Sequence, residues 1–224
     1  GVYKLDMNKC ILERYISANY QSYNEMNGDN INDVFVDESK RIWLANYPTG
    51  ITVIDYRYEN YHWMKHSMGN KQSIVNDQVH AVIEDSDGDL WFGTSNGISL
   101  YNSGTGEWHS FLSSFNHQLK DKNHIFITLC EVSPGIIWAG GYTSGIYKIN
   151  KADLSVEYFS PYLLSHINMR PDKYIRDMIK DSKGHIWSGG YYNLKCFDLA
   201  TNSVRLYPGV SSITAIAEKD SHNM

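Results

Sequence analysis

The chain has 224 residues and a formal net charge of −5, with 20 Lys and Arg against 25 Asp and Glu; 42% of residues are apolar and 20% charged. This is an ordinary globular composition, and without a basic excess it weighs against a nucleic-acid partner held by phosphate charge. No apolar run reaches the roughly 20 residues that span a bilayer, so this segment is expected to make no membrane contact.

Cys10, Cys130 and Cys196 lie far apart and form no CxxC, which excludes a zinc ribbon or a thioredoxin-like site. The first residues, GVYKLDMNKCILERY, lack the basic and apolar regions of a signal peptide. Aromatic residues are the unusual feature, with 17 Tyr, 6 Trp and 7 Phe against 5 Pro, a bias that favours strands.

Four segments align on a tryptophan. Trp43, Trp91, Trp138 and Trp187 follow one another at separations of 48, 47 and 49 residues. So steady a period marks a repeat architecture. Nine residues before each Trp stands an apolar residue: Val34, Val82, Leu129 or Met178. Six before it stands Asp37, Asp85 or Asp181, with Val132 as the exception. Three before it stands Gly88, Gly135 or Gly184, with Lys40 as the exception, and glycine with positive φ suits a hairpin there. A second turn follows the Trp, usually with glycine (Gly50, Gly97, Gly145). An aromatic-rich strand closes each unit: YHWMKH, EWHSFL, VEYFS and VRLYP. Four short antiparallel strands per roughly 48 residues is the size of a β-propeller blade. No segment sustains a helical apolar period.

In chain order, residues 1–28 read as the outer half of a blade, because residues 1–15 match residues 145–159. Whole blades are expected over 29–70, 71–115, 116–165 and 166–210. Residues 211–224 read as the first strand of a further blade, and register with Asp181 places Asp220 six residues before a tryptophan at position 226. The fold class is all-β, an incomplete propeller of about four to five blades, cut from a longer protein. Trp43, Trp91, Trp138 and Trp187 are expected between adjacent blades, where a large ring holds neighbouring sheets together. An open arc leaves strand edges uncovered, so the isolated chain is expected to self-associate unless its ends meet as a five-bladed ring lacking one strand.

The stretch VNDQVHAVIEDSDGDLWFGTSNGISLYNSGTGEWHSF, including Asn76-Asp77 ahead of the first strand, resembles the two-component regulator propeller repeat. The repeat around Trp138 departs from it in carrying Val132 and in the GYT that follows Trp-Ala-Gly. The resemblance implies a periplasmic sensor region of a hybrid two-component regulator of Bacteroides type. Such regions often hold two seven-bladed propellers and a β-sandwich, followed by a membrane helix and kinase, receiver and DNA-binding modules. They sense glycan breakdown products and switch on the genes that use them. None of the signalling modules lies in this chain.

Few motifs carry catalytic or metal chemistry. Asp85-Ser86-Asp87-Gly88-Asp89 has glycine fourth and Asn96 twelfth, where a calcium loop of the EF-hand type wants glycine sixth and Glu twelfth. It reads as a plain hairpin turn. His62, His66 and His109 fall in outer strands without metal-ligand spacing. No nucleophile elbow, P-loop or dinucleotide fingerprint occurs, so no metal, cofactor or catalytic residue is assigned.

Ligand binding has better candidates. The loops between the second and third strands open onto one propeller face. They carry Asn46 and Tyr47, Asn96, Tyr142, and Tyr191 with Tyr192. Tyrosine faces and amides suit sugar recognition, although the tyrosines could equally pack over their own turns. Eleven residues before each Trp come Asn32, His80, Ile127 and Arg176, at the start of the innermost strand. There Arg176 and His80 could meet an acidic sugar group or serve a structural role.

Three readings stay open. The first is a sensor module that binds an oligosaccharide and works with the remainder of a sensor kinase. The second is an architectural propeller that mediates homodimerisation, with the ligand held elsewhere. The third and weakest is a lyase or a quinoprotein-like oxidoreductase, hinted at by Thr105-Gly106-Glu107-Trp108 in one copy only.

Overall fold

A computed structural model describes residues 2–6, 11–16, 30–55, 61–114, 123–159 and 173–219. They form an all-β propeller segment of four antiparallel four-stranded sheets, preceded by one two-stranded sheet. The strand pair is β1 (Val2–Asp6) and β2 (Ile11–Ile16). The first blade holds β3 (Ile31–Val36), β4 (Ile42–Asn46), β5 (Gly50–Ile54) and β6 (Tyr61–Met64). The second holds β7 (Val79–Glu84), β8 (Leu90–Thr94), β9 (Gly97–Tyr101) and β10 (Trp108–Phe111). The third holds β11 (Phe126–Ser133), β12 (Ile136–Gly141), β13 (Gly145–Asn150) and β14 (Ser155–Phe159). The fourth holds β15 (Ile175–Lys180), β16 (Ile186–Gly190), β17 (Leu194–Asp198) and β18 (Ser203–Tyr207). Within each blade the strands pair in chain order, and the first strands of successive blades lie against one another. Cys10 and Asp220 lie outside the described residues, as does the side chain of His62.

The turn between the first two strands requires a left-handed residue. Gly88, Gly135 and Gly184 supply it with φ of 83°, 71° and 85°, and Lys40 adopts φ of 66° in the copy without glycine. The Asp six residues before the Trp organises that turn. Asp85 Oδ1 accepts the backbone N–H groups of Asp87 and Asp89, while its Oδ2 accepts the Trp91 indole N–H. Asp37 and Asp181 clasp Trp43 and Trp187 in the same way.

The indoles of Trp43, Trp91 and Trp138 each meet the next blade, Trp138 without an Asp clasp because Val132 stands in that place. Trp43 packs with Val79, Val82, Leu90 and Phe92 of the second blade. Trp91 packs with Leu129, Ile137 and Ala139 of the third, and Trp138 with Ile175, Met178, Ile186 and Phe197 of the fourth. These three rings are 1%, 0% and 3% exposed. Trp187 is only half-buried, its ring tilted against Tyr207 of its own blade at 5.3 Å. Beyond it the described residues supply only the segment 211–219, so its expected place between two complete blades is not filled.

The close approach of blades explains the small residue two after each Trp. A Cβ added at Gly140 would meet Ile175 Cγ2 at 2.6 Å, and one at Gly189 would meet Ile213 Cγ2 at 2.4 Å. Polar links reinforce the same seam. The Val82 N–H donates to Asp33 Oδ2, the Met178 N–H to Thr128 Oγ1 and the Ile216 N–H to Asp177 Oδ2. Ser86 donates through its N–H and hydroxyl to Glu131, and Ser182 does the same to Glu218.

These equivalences correct the register read from Asp220. They put Ile216, not Ala217, in the place of Met178, and Glu218 in the place of Glu131. Counting from Asp220 is therefore one residue off. The Asp of the motif serves its own blade's turn, whereas docking on the preceding blade depends on backbone N–H groups and a buried apolar contact. Residues 211–219 dock without forming a regular strand.

The Asp85 to Asp89 turn carries its own internal cation. Lys151 Nζ, from the third blade, lies 2.7, 2.8 and 2.9 Å from carboxylate oxygens of Asp85, Asp87 and Asp89. Burial works against the ammonium charge, but the three carboxylates outweigh it and raise the lysine pKa.

Candidate functional site

The first strand of every blade carries a β-bulge at the same place. Pairing skips one residue between Ile31 and Asp33, Val79 and Ala81, Phe126 and Thr128, and Ile175 and Asp177. The skipped residues are Asn32, His80, Ile127 and Arg176, one per blade. A bulged residue has no partner across the ladder, so its side chain can be re-aimed without disturbing the sheet. Here all four are aimed into one cavity of about 800 Å³, lined by the inner strands of all four blades together with Thr214 and Ala215. That volume lies within the range of small-molecule sites.

Tyr47 and Tyr142 also line this cavity, and each is exposed. On one side, Tyr47 lies 6.0 Å from the His80 ring. The Asn32 amide nitrogen donates to the Val79 carbonyl at 3.1 Å and lies 3.4 Å from His80 Nδ1. His80 Nε2 is 2.8 Å from Ser95 Oγ. On the other side, Tyr142 meets Tyr174 edge to face at 4.8 Å, and Arg176 donates through Nη1 to the Tyr174 hydroxyl at 2.8 Å. The wall thus offers a guanidinium, an imidazole, an amide, hydroxyls and aromatic rings around one space.

The electrostatics follow from burial. His80 is pushed below the usual imidazole range, first by burial and then by the positive charge of Arg176 across the cavity, so it is neutral near pH 7. Burial raises the Asp33 and Asp177 carboxyls above the usual carboxylate range, and the backbone N–H groups they accept only partly offset this. Among the described residues, no group of three or more His, Cys, Asp or Glu is arranged to hold a metal ion. Cys130 and Cys196 are free thiols, and burial pushes that of Cys130 up to about 11.

The remaining candidate residues fall elsewhere. Asn46 is buried at the end of β4. Asn96, on the turn between β8 and β9, ties that turn to the segment after β10, its Oδ1 accepting the Ser114 N–H. Tyr191 and Tyr192 sit on the turn between β16 and β17, outside the cavity wall, and continue the aromatic contacts from Tyr174. Sequence reasoning missed Asp33, Thr128 and Asp177, which carry the inter-blade hydrogen bonds. The signal was present: a polar residue ten before the Trp in three of four copies, with Ala81 as the exception. It also missed Tyr174, which has no counterpart at the same repeat position.

Comparison with known proteins bears on the class. Residues 73–96 match the family model described as two component regulator propeller. Fold and motif together define a β-propeller segment that carries a two-component regulator propeller repeat. Among solved structures, the chain is similar to an extracellular domain from B. thetaiotaomicron described as part of a hybrid two component system. The two share 20% identity at a TM-score of 0.72, covering 88% of this chain and 26% of that one. A second extracellular domain of such a system from the same organism matches at 16% identity and a TM-score of 0.59, covering 88% and 23%. An auxiliary nutrient binding protein from Bacteroides ovatus matches at 12% identity and a TM-score of 0.57, covering 98% and 51%. The chain thus spans about a quarter of the length of the first two. At these identities the likeness establishes the propeller fold. No curated protein sequence matches the chain. No described helix is long and apolar enough to cross a membrane.

Proposed function

We propose that this chain is the ligand-sensing propeller segment of a periplasmic hybrid two-component sensor, and that it binds glycan breakdown products at the mouth of its central channel. The observation that carries this reading is the convergence of four bulged residues and two exposed tyrosines on one cavity. The similarity to extracellular domains of two component systems and to a nutrient binding protein supports it. The reading assigns binding, and no catalysis, to this segment. The remainder of the sensor, including its membrane anchor and kinase, is its partner.

Polar hydroxyls and amides beside flat aromatic faces match the two surfaces of a sugar ring. A thermal-shift and calorimetric screen of the chain against neutral and acidic oligosaccharides tests the assignment. At least one saccharide is expected to raise the melting temperature, and Tyr142→Ala and His80→Ala to weaken its binding. If none binds, while Tyr142→Ala alters the oligomeric state, the face is an assembly surface and the ligand belongs elsewhere in the parent protein.

A further inference from the structure

We propose that the cavity selects acidic glycan fragments, with the Arg176 guanidinium taking the sugar's oxyanion and the tyrosines that lead outward from it taking the sugar rings. This inference rests on the glycan-binding reading of the same cavity and specifies its ligand class.

Arg176 is the bulged residue of the fourth blade and is exposed into the cavity. One of its five N–H donors is used by Tyr174, and among the described residues no carboxylate pairs with it. The two carboxylates on the cavity wall are committed elsewhere. Asp33 accepts the backbone N–H groups of Val34 and Val82, and Asp177 accepts that of Ile216, so both serve the chain's own backbone. His80, on the opposite wall, has Asn32 and Ser95 beside its two ring nitrogens. The guanidinium is therefore left with a planar fork of donors facing a concave space, the geometry that binds a carboxylate or sulfate in two-point fashion.

The aromatic side chains set the direction of the ligand. Tyr142 lies 4.8 Å from Tyr174, Tyr174 lies 6.3 Å from Tyr191, and Tyr191 lies 5.2 Å from Tyr192, each pair edge to face. Tyr142, Tyr191 and Tyr192 are exposed, so the row runs from the cavity wall onto the turn between β16 and β17. Each edge-to-face contact covers one face of one ring, and the exposed surface of Tyr142, Tyr191 and Tyr192 is what would meet the C–H faces of successive sugar units. Tyr174 joins the two parts, since its hydroxyl holds Arg176 and its ring continues the row.

Isothermal titration of the chain with trigalacturonate, with galactose 6-sulfate and with neutral cellotriose tests this, each at low and at physiological ionic strength. The acidic probes are expected to bind at least about tenfold more tightly than cellotriose, with a preference that shrinks as salt rises. Whether the carboxylate or the sulfate probe binds more tightly identifies the oxyanion. R176Q is expected to abolish the acid preference and R176K to retain part of it, with the melting temperatures of both unchanged. Y174F is expected to weaken acidic binding by about threefold by freeing the guanidinium. Equal affinity for cellotriose and trigalacturonate, unchanged in R176Q, overturns the acid preference and leaves glycan binding standing. Absence of binding by every saccharide overturns both.

Discussion

The indole N–H of Trp91 donates to Asp85 Oδ2 over 2.9 Å, across a hairpin whose turn the same carboxylate organises. One acid thus fixes both the turn and the ring that meets the next blade. In Asp37, Asp85 and Asp181, burial opposes ionisation, but it is outweighed by the Lys151 ammonium at Asp85 and by the indole, backbone N–H and, at Asp37 and Asp181, the Arg41 and His185 donors, which hold each carboxyl below its usual range. A depressed carboxyl pKa adds stability that is present above the unfolded value near 3.8 and is lost as pH falls through the folded value. The urea midpoint of the wild-type chain is therefore expected to exceed that of Asp37→Asn at neutral pH. The gap should narrow as pH falls from about 4 towards 2. A gap constant down to the lowest pH would count against the carboxylate's role.

The three sandwiched indoles and the half-buried one differ in a measurable way. Trp91→Ala removes a ring packed among Phe111, Leu129 and Ile137, and is expected to cost about 3–5 kcal/mol in chemical denaturation. Trp187→Ala removes a ring with solvent on part of its surface and should cost less than half as much. Equal losses would show that the indoles act within their own blades and not across the seam.

The Lys151 cluster joins the second and third blades through charge. Lys151→Met leaves the buried Asp85 carboxylate without its cation, which typically costs about 3 kcal/mol. Asp87 is largely exposed and adds little. Lys151→Arg should recover most of the loss. Both variants can be compared by urea denaturation at neutral pH. A Lys151→Met variant as stable as wild type would mean that water compensates the three acids.

Gly140 admits the next blade only because it lacks a side chain. Gly140→Val would press on the side chains of Ile175 and Thr128, and is expected to destabilise by about 1–3 kcal/mol. Pairing Gly140→Val with Ile175→Ala should restore part of the loss, and a double-mutant cycle reads that coupling directly. Additive losses would place the strain within the third blade instead.

Much of this architecture was legible in the residues. The tryptophan period, the turn glycines and the recurring Asp each reflect a local requirement repeated in every blade, so each leaves a pattern. The residues at the start of the innermost strands were found by the same spacing, although their bulged geometry was not, because a bulge changes pairing without changing composition. What stayed hidden has no period. Lys151 meets Asp85 only because the third blade lies beside the second. Tyr174 matters through its neighbours Tyr142 and Arg176 and not through a repeated position. The one-residue shift at Ile216 likewise arises from docking, which alignment on Asp220 does not sense.

Because Asn32, His80, Ile127 and Arg176 stand outside the ladder of their sheets, exchanging any of them should leave strand pairing in place, although Asn32 also donates to the Val79 carbonyl across the seam between the first two blades. Each wedge therefore offers the central opening one side chain that its ladder does not use, and four such positions sit side by side. If the proposed binding holds, a single codon change at one of these positions would retune the opening while the sheets that display it keep their pairing.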